Sequence, residues 1–259
     1  MTHDALDKRT LKNEALMLKL GHRGAPGYPR RFENTIYSFW RALQLGADGF
    51  ELDVRRCKNK LVVFHDKTLE HATNGFSKSA IADMEHEELD ERIFQARGLR
   101  QGFHIPLLSE VLSAFGSRCF INIELKESYI WEDVFWLVQK FGLSQTVLIS
   151  CFDKTKEALS EENAPSWSEL SHAPSCVHTA LIASTEVVKK MGDDYIACAK
   201  ELGASAIHPH HLAINKKLIK NAKTAGIHVN AWTVNNRYAI WKMRRTGVHG
   251  IISDFPERL

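Results

Sequence analysis

Six stretches with helical periodicity each run into a glycine, with short β-branched or apolar runs between them, and this rhythm constrains the 259-residue chain more than any other feature. The strand-like runs are Met17–His22, Gly49–Asp53, Phe120–Lys126, Val147–Phe152, Thr179–Ala183, Ser205–His208, His228–Val234 and Gly250–Ser253. The helical patterns are Thr35–Leu45, Leu108–Phe115, Trp131–Phe141, Asp193–Leu202, Lys216–Ala225 and Asn236–Thr246, stopped by Gly46, Gly116, Gly142, Gly203, Gly226 and Gly247. Eight strands alternating with helices predict the α/β class and a (β/α)₈ TIM barrel spanning residues 1–259 as one domain. A doubly wound open sheet fits less well, because no Gly-rich phosphate loop follows the first strand.

Leu61–His65 is a ninth strand candidate, but the link from Val54 is too short for a crossover helix. It should return as a hairpin above the barrel rim and bring His65 back beside Asp53. From about 66 to 105 the pattern is irregular and polar, which predicts a small insertion after the second strand, lying over the same rim. No helix pattern follows Ser253, so Leu6–Leu16 is the segment available to cover that gap.

With 44% apolar and 25% charged residues the composition is that of a globular chain with a real core. The net charge of +3 is small and dispersed, which argues against a nucleic-acid partner and suits a small anionic substrate. The N-terminal residues show no secretory pattern and no apolar run is long enough to cross a bilayer, so a soluble, unexported protein is expected. Five cysteines, an odd number without metal-finger spacing, read as reduced thiols of a cytoplasmic protein. The oligomeric state is not legible.

The chemistry lies in strand alternation. Glu51 and Asp53 share one face while Phe50, Leu52 and Val54 share the other; in F-I-N-I-E-L-K, Asn122, Glu124 and Lys126 likewise alternate with Ile121, Ile123 and Leu125. In a barrel the apolar set packs under helices and the carboxylates point into the mouth. Three convergent, partly buried carboxylates are costly unless neutralised, and an all-oxygen set suits Mg²⁺ or Ca²⁺ better than Zn²⁺. Pairing with Arg55, Arg56 or Lys126 is the competing explanation. His22 ends the first strand and His65 the hairpin, so two imidazoles reach the same rim, as a general acid and general base would. Arg23 and Lys126 are placed to clamp an anion.

His22-Arg23, Glu51-x-Asp53 and His65-Asp66 together resemble the signature of the glycerophosphodiester phosphodiesterase family. Glu33-Asn34-Thr35, I-E-L-K at 123–126, A-W-T-V-N at 231–235 and G-I-I-S-D-F-P at 250–256 extend the resemblance from Leu20 to Pro256. It implies a barrel with a small insertion, and hydrolysis of glycerophosphodiesters to sn-glycerol 3-phosphate and an alcohol. It also implies one divalent cation, Mg²⁺ or Ca²⁺, on Glu51, Asp53 and Glu124, catalytic histidines at His22 and His65, and substrate contacts at Arg23, Lys126, Trp232 and Glu33. Hydrolysis of lysophospholipids and a non-catalytic phosphodiester-binding barrel are the rival functions. Cys151, where the family often has Ser, and the varied P-L-L-S-E at 106–110 put the alcohol pocket in question. His208 and His210-His211 read as a loop lining the mouth, and Phe135-Trp136-Leu137 with Phe141 as helix core. The working order takes His65 as acid and His22 as base, and leaves open whether water or a glycerol hydroxyl attacks.

Overall fold

The computed structural model describes residues 17–27, 32–97, 104–152 and 165–259. Eight parallel strands close into a barrel: β1 (Leu18–Gly21), β2 (Gly49–Cys57), β4 (Phe120–Leu125), β5 (Val147–Phe152), β6 (His178–Ala183), β7 (Ala206–Pro209), β8 (His228–Ala231) and β9 (Gly250–Ser253). Closure comes from β1, which pairs with β9 on one side and β2 on the other. β3 (Lys60–Val63) runs antiparallel to Val54–Cys57 of β2, so it is the returning arm of a hairpin. That pairing carries β2 four residues beyond the end read from the sequence, because each residue added gains a partner across the hairpin.

The outward-facing residues Phe50, Leu52, Val54, Ile121, Ile123 and Leu125 are buried in the main apolar cluster beneath the helices. Each such burial contributes roughly 1.5–3 kcal/mol. Inside the barrel the N-terminal level is apolar, with Leu148, Ala180 and Ala206 packed beside Phe120. Toward the C-terminal ends the inward positions become polar: Asn122 then Glu124 on β4, Glu51 then Asp53 on β2, and His208 and Asn230 on β7 and β8. The C-terminal rim is where barrels of this kind place their chemistry.

The described helices are α1 (Ile36–Gln44), α2 (His86–Arg97), α3 (Leu108–Phe115), α4 (Trp131–Lys140), α5 (Trp167–Leu170), α6 (Thr185–Met191), α7 (Asp194–Glu201), α8 (Lys216–Ala225) and α9 (Arg237–Thr246). Gly247 stops α9 in the left-handed region at φ 87°, as the sequence suggests. Gly116 after α3 instead stays right-handed; a Cβ there would sit 2.1 Å from Leu143 Cδ1, so close packing explains that glycine. The span 66–105 is not featureless. It holds a 3₁₀ turn at Ile81–Asp83 and the whole of α2, and Phe64, Leu69, Ile81, Met84, Leu89 and Ile105 form a second apolar cluster with Cys57 and Val62 of the hairpin. A short 3₁₀ turn, Pro256–Arg258, follows β9, and Leu6–Leu16 lies outside the described residues.

Candidate active site

The register pairs Asp53 of β2 with Glu124 of β4 and leaves Glu51 two residues below, so the three carboxylates offer oxygen atoms within 4.8 Å of one another. All three are buried, at 2%, 1% and 8% exposure for Glu51, Asp53 and Glu124. Two residues in the left-handed region hold them. Asn34, at φ 56°, donates from Nδ2 to Asp53 Oδ2 at 2.8 Å and accepts from the Asp53 N–H at 3.2 Å. Arg23, at φ 53°, donates its backbone N–H to Glu51 Oε2 at 2.9 Å. Its guanidinium places Nε 3.1 Å from Asp53 Oδ2 and donates from Nη1 to Glu33 Oε2 at 3.1 Å. Lys126 Nζ lies 3.2 Å from Asp53 Oδ1 and bonds Glu124 Oε1. The ion pairing weighed against metal binding therefore does occur, through Arg23 and Lys126; Arg55 pairs instead with Glu127 and Arg56 with Asp133.

That pairing does not complete the site. Two positive groups face three carboxylates, Glu51 Oε1 is buried without a donor, and Asp53 Oδ1 has only the Lys126 ammonium at 3.2 Å. Burial, then the charges of Asp53 and Glu124, push the Glu51 carboxyl well above the usual range, a cost of ionisation that a bound cation would offset. Burial opposes ionisation of Asp53 too, but Lys126 and Arg23 overcome it and hold that carboxyl well below the usual range. Burial also opposes the Arg23 and Lys126 cations, yet the carboxylates win and both pKa values rise. A buried, donorless oxygen in an all-carboxylate set fits a hard divalent cation.

Each histidine stands on a carboxylate. His22 Nδ1 donates to Asp254 Oδ1 at 2.6 Å, and since a carboxylate only accepts, the proton sits on Nδ1. Nε2 is then left facing the triad, 3.9 Å from Glu51 Oε2. Asn235 clasps Asp254 in turn, donating from Nδ2 to Oδ2 at 2.7 Å and accepting the Asp254 N–H at 3.0 Å. Burial lowers the His22 pKa against the opposing pull of Asp254, which favours neutral imidazole. His65 Nδ1 donates to Asp66 Oδ1 at 2.6 Å, and Arg55 Nε donates to the His65 carbonyl at 2.7 Å.

A cavity of about 180 Å³ opens between His65, Asp66, Lys67, Lys126, Phe152 and Pro165. Trp232 donates from Nε1 to the His208 carbonyl at 2.7 Å and meets Phe152 edge-on at 5.3 Å, so it stands on the cavity's Phe152 side. His210 and His211 do line the rim beside Trp232, but His208 is buried within the barrel, its Nε2 bonded by Asn230 at 2.9 Å and its pKa lowered by burial to about 3. Cys151 points outward into the core, so the Ser-to-Cys departure does not touch the pocket. Trp136 is 57% exposed beneath Lys140 while Phe135 is buried, so only part of that aromatic run is core.

The sequence matches the glycerophosphoryl diester phosphodiesterase family over residues 22–258. The chain belongs to this family. It is 31% identical over 253 residues to a glycerophosphodiester phosphodiesterase of Caldanaerobacter subterraneus, covering 93% of this chain and 96% of that protein. A glycerophosphodiester phosphodiesterase of Bacillus altitudinis is 33% identical over 253 residues, covering 92% and 94%. The crystal structure of glycerophosphodiester phosphodiesterase from Thermotoga maritima superposes with a TM-score of 0.74 at 25% identity, covering 94% of this chain and 96% of that one. Reading the sequence alone missed three groups: Asn34, Asp254 and Asn235. Asp254 was within reach, since in any closed barrel the last strand lies beside the first, which places a carboxylate after Ser253 next to His22.

Proposed function

We propose that this chain hydrolyses glycerophosphodiesters to sn-glycerol 3-phosphate and an alcohol, using a divalent cation, Mg²⁺ or Ca²⁺, held by Glu51, Asp53 and Glu124. The observation that carries this reading is two carboxylate-backed imidazoles at the rim of a buried carboxylate triad in which Glu51 Oε1 has no donor. When bound, the cation supplies Lewis-acid polarisation of the phosphoryl group. Arg23 and Lys126 hold the phosphoryl oxygens and offset the charge that develops there. His22, neutral and with its proton fixed on Nδ1 by Asp254, accepts a proton at Nε2 from the attacking hydroxyl. His65, oriented by Asp66, delivers a proton to the departing alkoxide. Glu33 keeps Arg23 aimed, and Trp232 with Phe152 walls the side on which the alcohol sits.

The charged lining of the cavity favours a small polar head group over an acyl chain. We take residues 1–259 as one domain in which the segment 66–105, with its own apolar cluster, is an insertion beside the rim. No described helix is long and apolar enough to cross a membrane. Five cysteines outside any disulfide fit the cytoplasm best.

Arg23→Ala and Lys126→Ala test the phosphate contacts. Each is expected to lose roughly 1.5–3 kcal/mol of transition-state stabilisation in kcat/KM, as for a hydrogen bond to a charged group, with cooperative thermal unfolding retained. Normal specific activity in the native fraction of either variant would make that residue structural.

A further inference from the structure

The small net charge hides an asymmetry. From 202 to 253 the chain has no Asp or Glu, and those 52 residues carry eight Lys and Arg, a formal +8 against −5 for the remainder. All eight are exposed, four as lysines on α8 and four as Arg237, Lys242, Arg244 and Arg245 on α9. Lys217 is engaged by Asp193 at 2.9 Å, which removes little from the total. The two helices adjoin, since the cap of α9 at Gly247 lies against Ile219 of α8.

Exposed aromatics stand among these cations. Tyr238, Trp241, Lys242 and Arg245 fall on one stripe of α9, opposite Ala239, Ile240 and Met243, which pack into the barrel wall. Tyr238 is 71% and Trp241 52% exposed, their rings are stacked at 5.7 Å, and Arg245 lies 5.2 Å from the Trp241 ring. The stripe also approaches the rim. Lys242 is close enough to His211 for its charge to add to the effect of burial in lowering that imidazole's pKa, and the His211 N–H bonds the Trp232 carbonyl at 3.0 Å.

Lysines and arginines around interfacial Trp and Tyr are the composition of a surface that meets lipid head groups. Single-stranded nucleic acid also takes cations and aromatics, but in a groove that tracks its backbone, whereas these residues stand exposed on the sides of two helices turned away from the core. We propose that the outer face of α8 and α9 docks on an anionic phospholipid bilayer, with Tyr238 and Trp241 at head-group depth and the cations against lipid phosphates. This goes beyond the hydrolytic reading and does not depend on it.

The test is co-sedimentation of the full chain with vesicles of phosphatidylcholine alone and of phosphatidylcholine mixed with phosphatidylglycerol, at low and high salt. Binding is expected to the anionic vesicles only and to be released by salt. Lys242→Glu with Arg245→Glu should weaken partitioning more than about tenfold, given roughly fivefold per cation removed. Tyr238→Ser with Trp241→Ser should weaken it as well, and both pairs should keep the parent melting temperature and the parent rate on soluble substrate. Equal binding to neutral vesicles, undiminished binding by either pair, or capture of a single-stranded RNA oligonucleotide without vesicle binding would overturn the assignment. Because binding and unfolding are read without turnover, failure here is distinct from failure of the proposed hydrolysis.

Discussion

Replacing His65 with alanine should slow hydrolysis of glycerophosphocholine by about 10²–10⁴, the usual worth of a general acid, and slow a nitrophenyl phosphodiester far less. A choline alkoxide leaves poorly without a proton, whereas nitrophenolate leaves as the anion. His22→Ala should damage both substrates, because the attacking hydroxyl must lose its proton in either case. The assignment rests on the state of each ring. His22 is largely but not fully buried, carries its proton on Nδ1 toward Asp254, and has its pKa lowered by desolvation, all of which suit a base. His65 is paired with Asp66 beside the open cavity, where a leaving group has room. Rates of both variants on both substrates at saturating metal decide it: equal losses for His65→Ala would exclude the acid role, and the reverse pattern would exchange the two.

Glu51→Gln should stabilise the metal-free protein while crippling its metal affinity. The folded Glu51 carboxyl lies above its unfolded value, chiefly through burial and then through Asp53 and Glu124. A raised acid contributes stability that is full below the ordinary Glu range and is lost as pH rises through the raised value. Glutamine removes that loss, so the stripped variant should melt above stripped wild type at neutral and alkaline pH, by about 2–4 °C for each kcal/mol recovered, and the gap should close in acid. Added Mg²⁺ or Ca²⁺ should raise the melting temperature of wild type but barely that of the variant, with affinity at least about 10–100-fold weaker. A variant that binds metal normally, or melts below stripped wild type at high pH, contradicts the triad as a cation site. Scanning calorimetry across pH, with and without metal, reads all of this.

Most of the site was legible because strand alternation is a local rule. Once Glu51, Asp53 and Glu124 were seen to interrupt apolar strands on one face, the barrel left them only the mouth. The hairpin that returns His65 was legible for the same reason, since a short link between strands permits little else. Closure and backbone conformation were harder. The His22–Asp254 pair spans 232 residues and exists only because β1 lies against β9. Asn34 reaches Asp53 from a left-handed conformation that an Asn tolerates but does not announce. The helix α2 escaped notice because its start, H-E-E-L-D-E, is too charged to show an apolar stripe. The short α6 was missed because T-E-V-V-K-K reads equally well as a strand edge; its capping Ser184, which accepts the Val187 N–H, was the available signal.

The most direct measurement is turnover of glycerophosphocholine by chelator-stripped protein during back-titration with Mg²⁺ or Ca²⁺, with products identified. The stripped chain should be inactive, and activity should rise to a plateau at one ion bound per chain, releasing sn-glycerol 3-phosphate and choline. Full turnover in exhaustively chelated protein, or a product in which the phosphate stays on choline, would contradict the account.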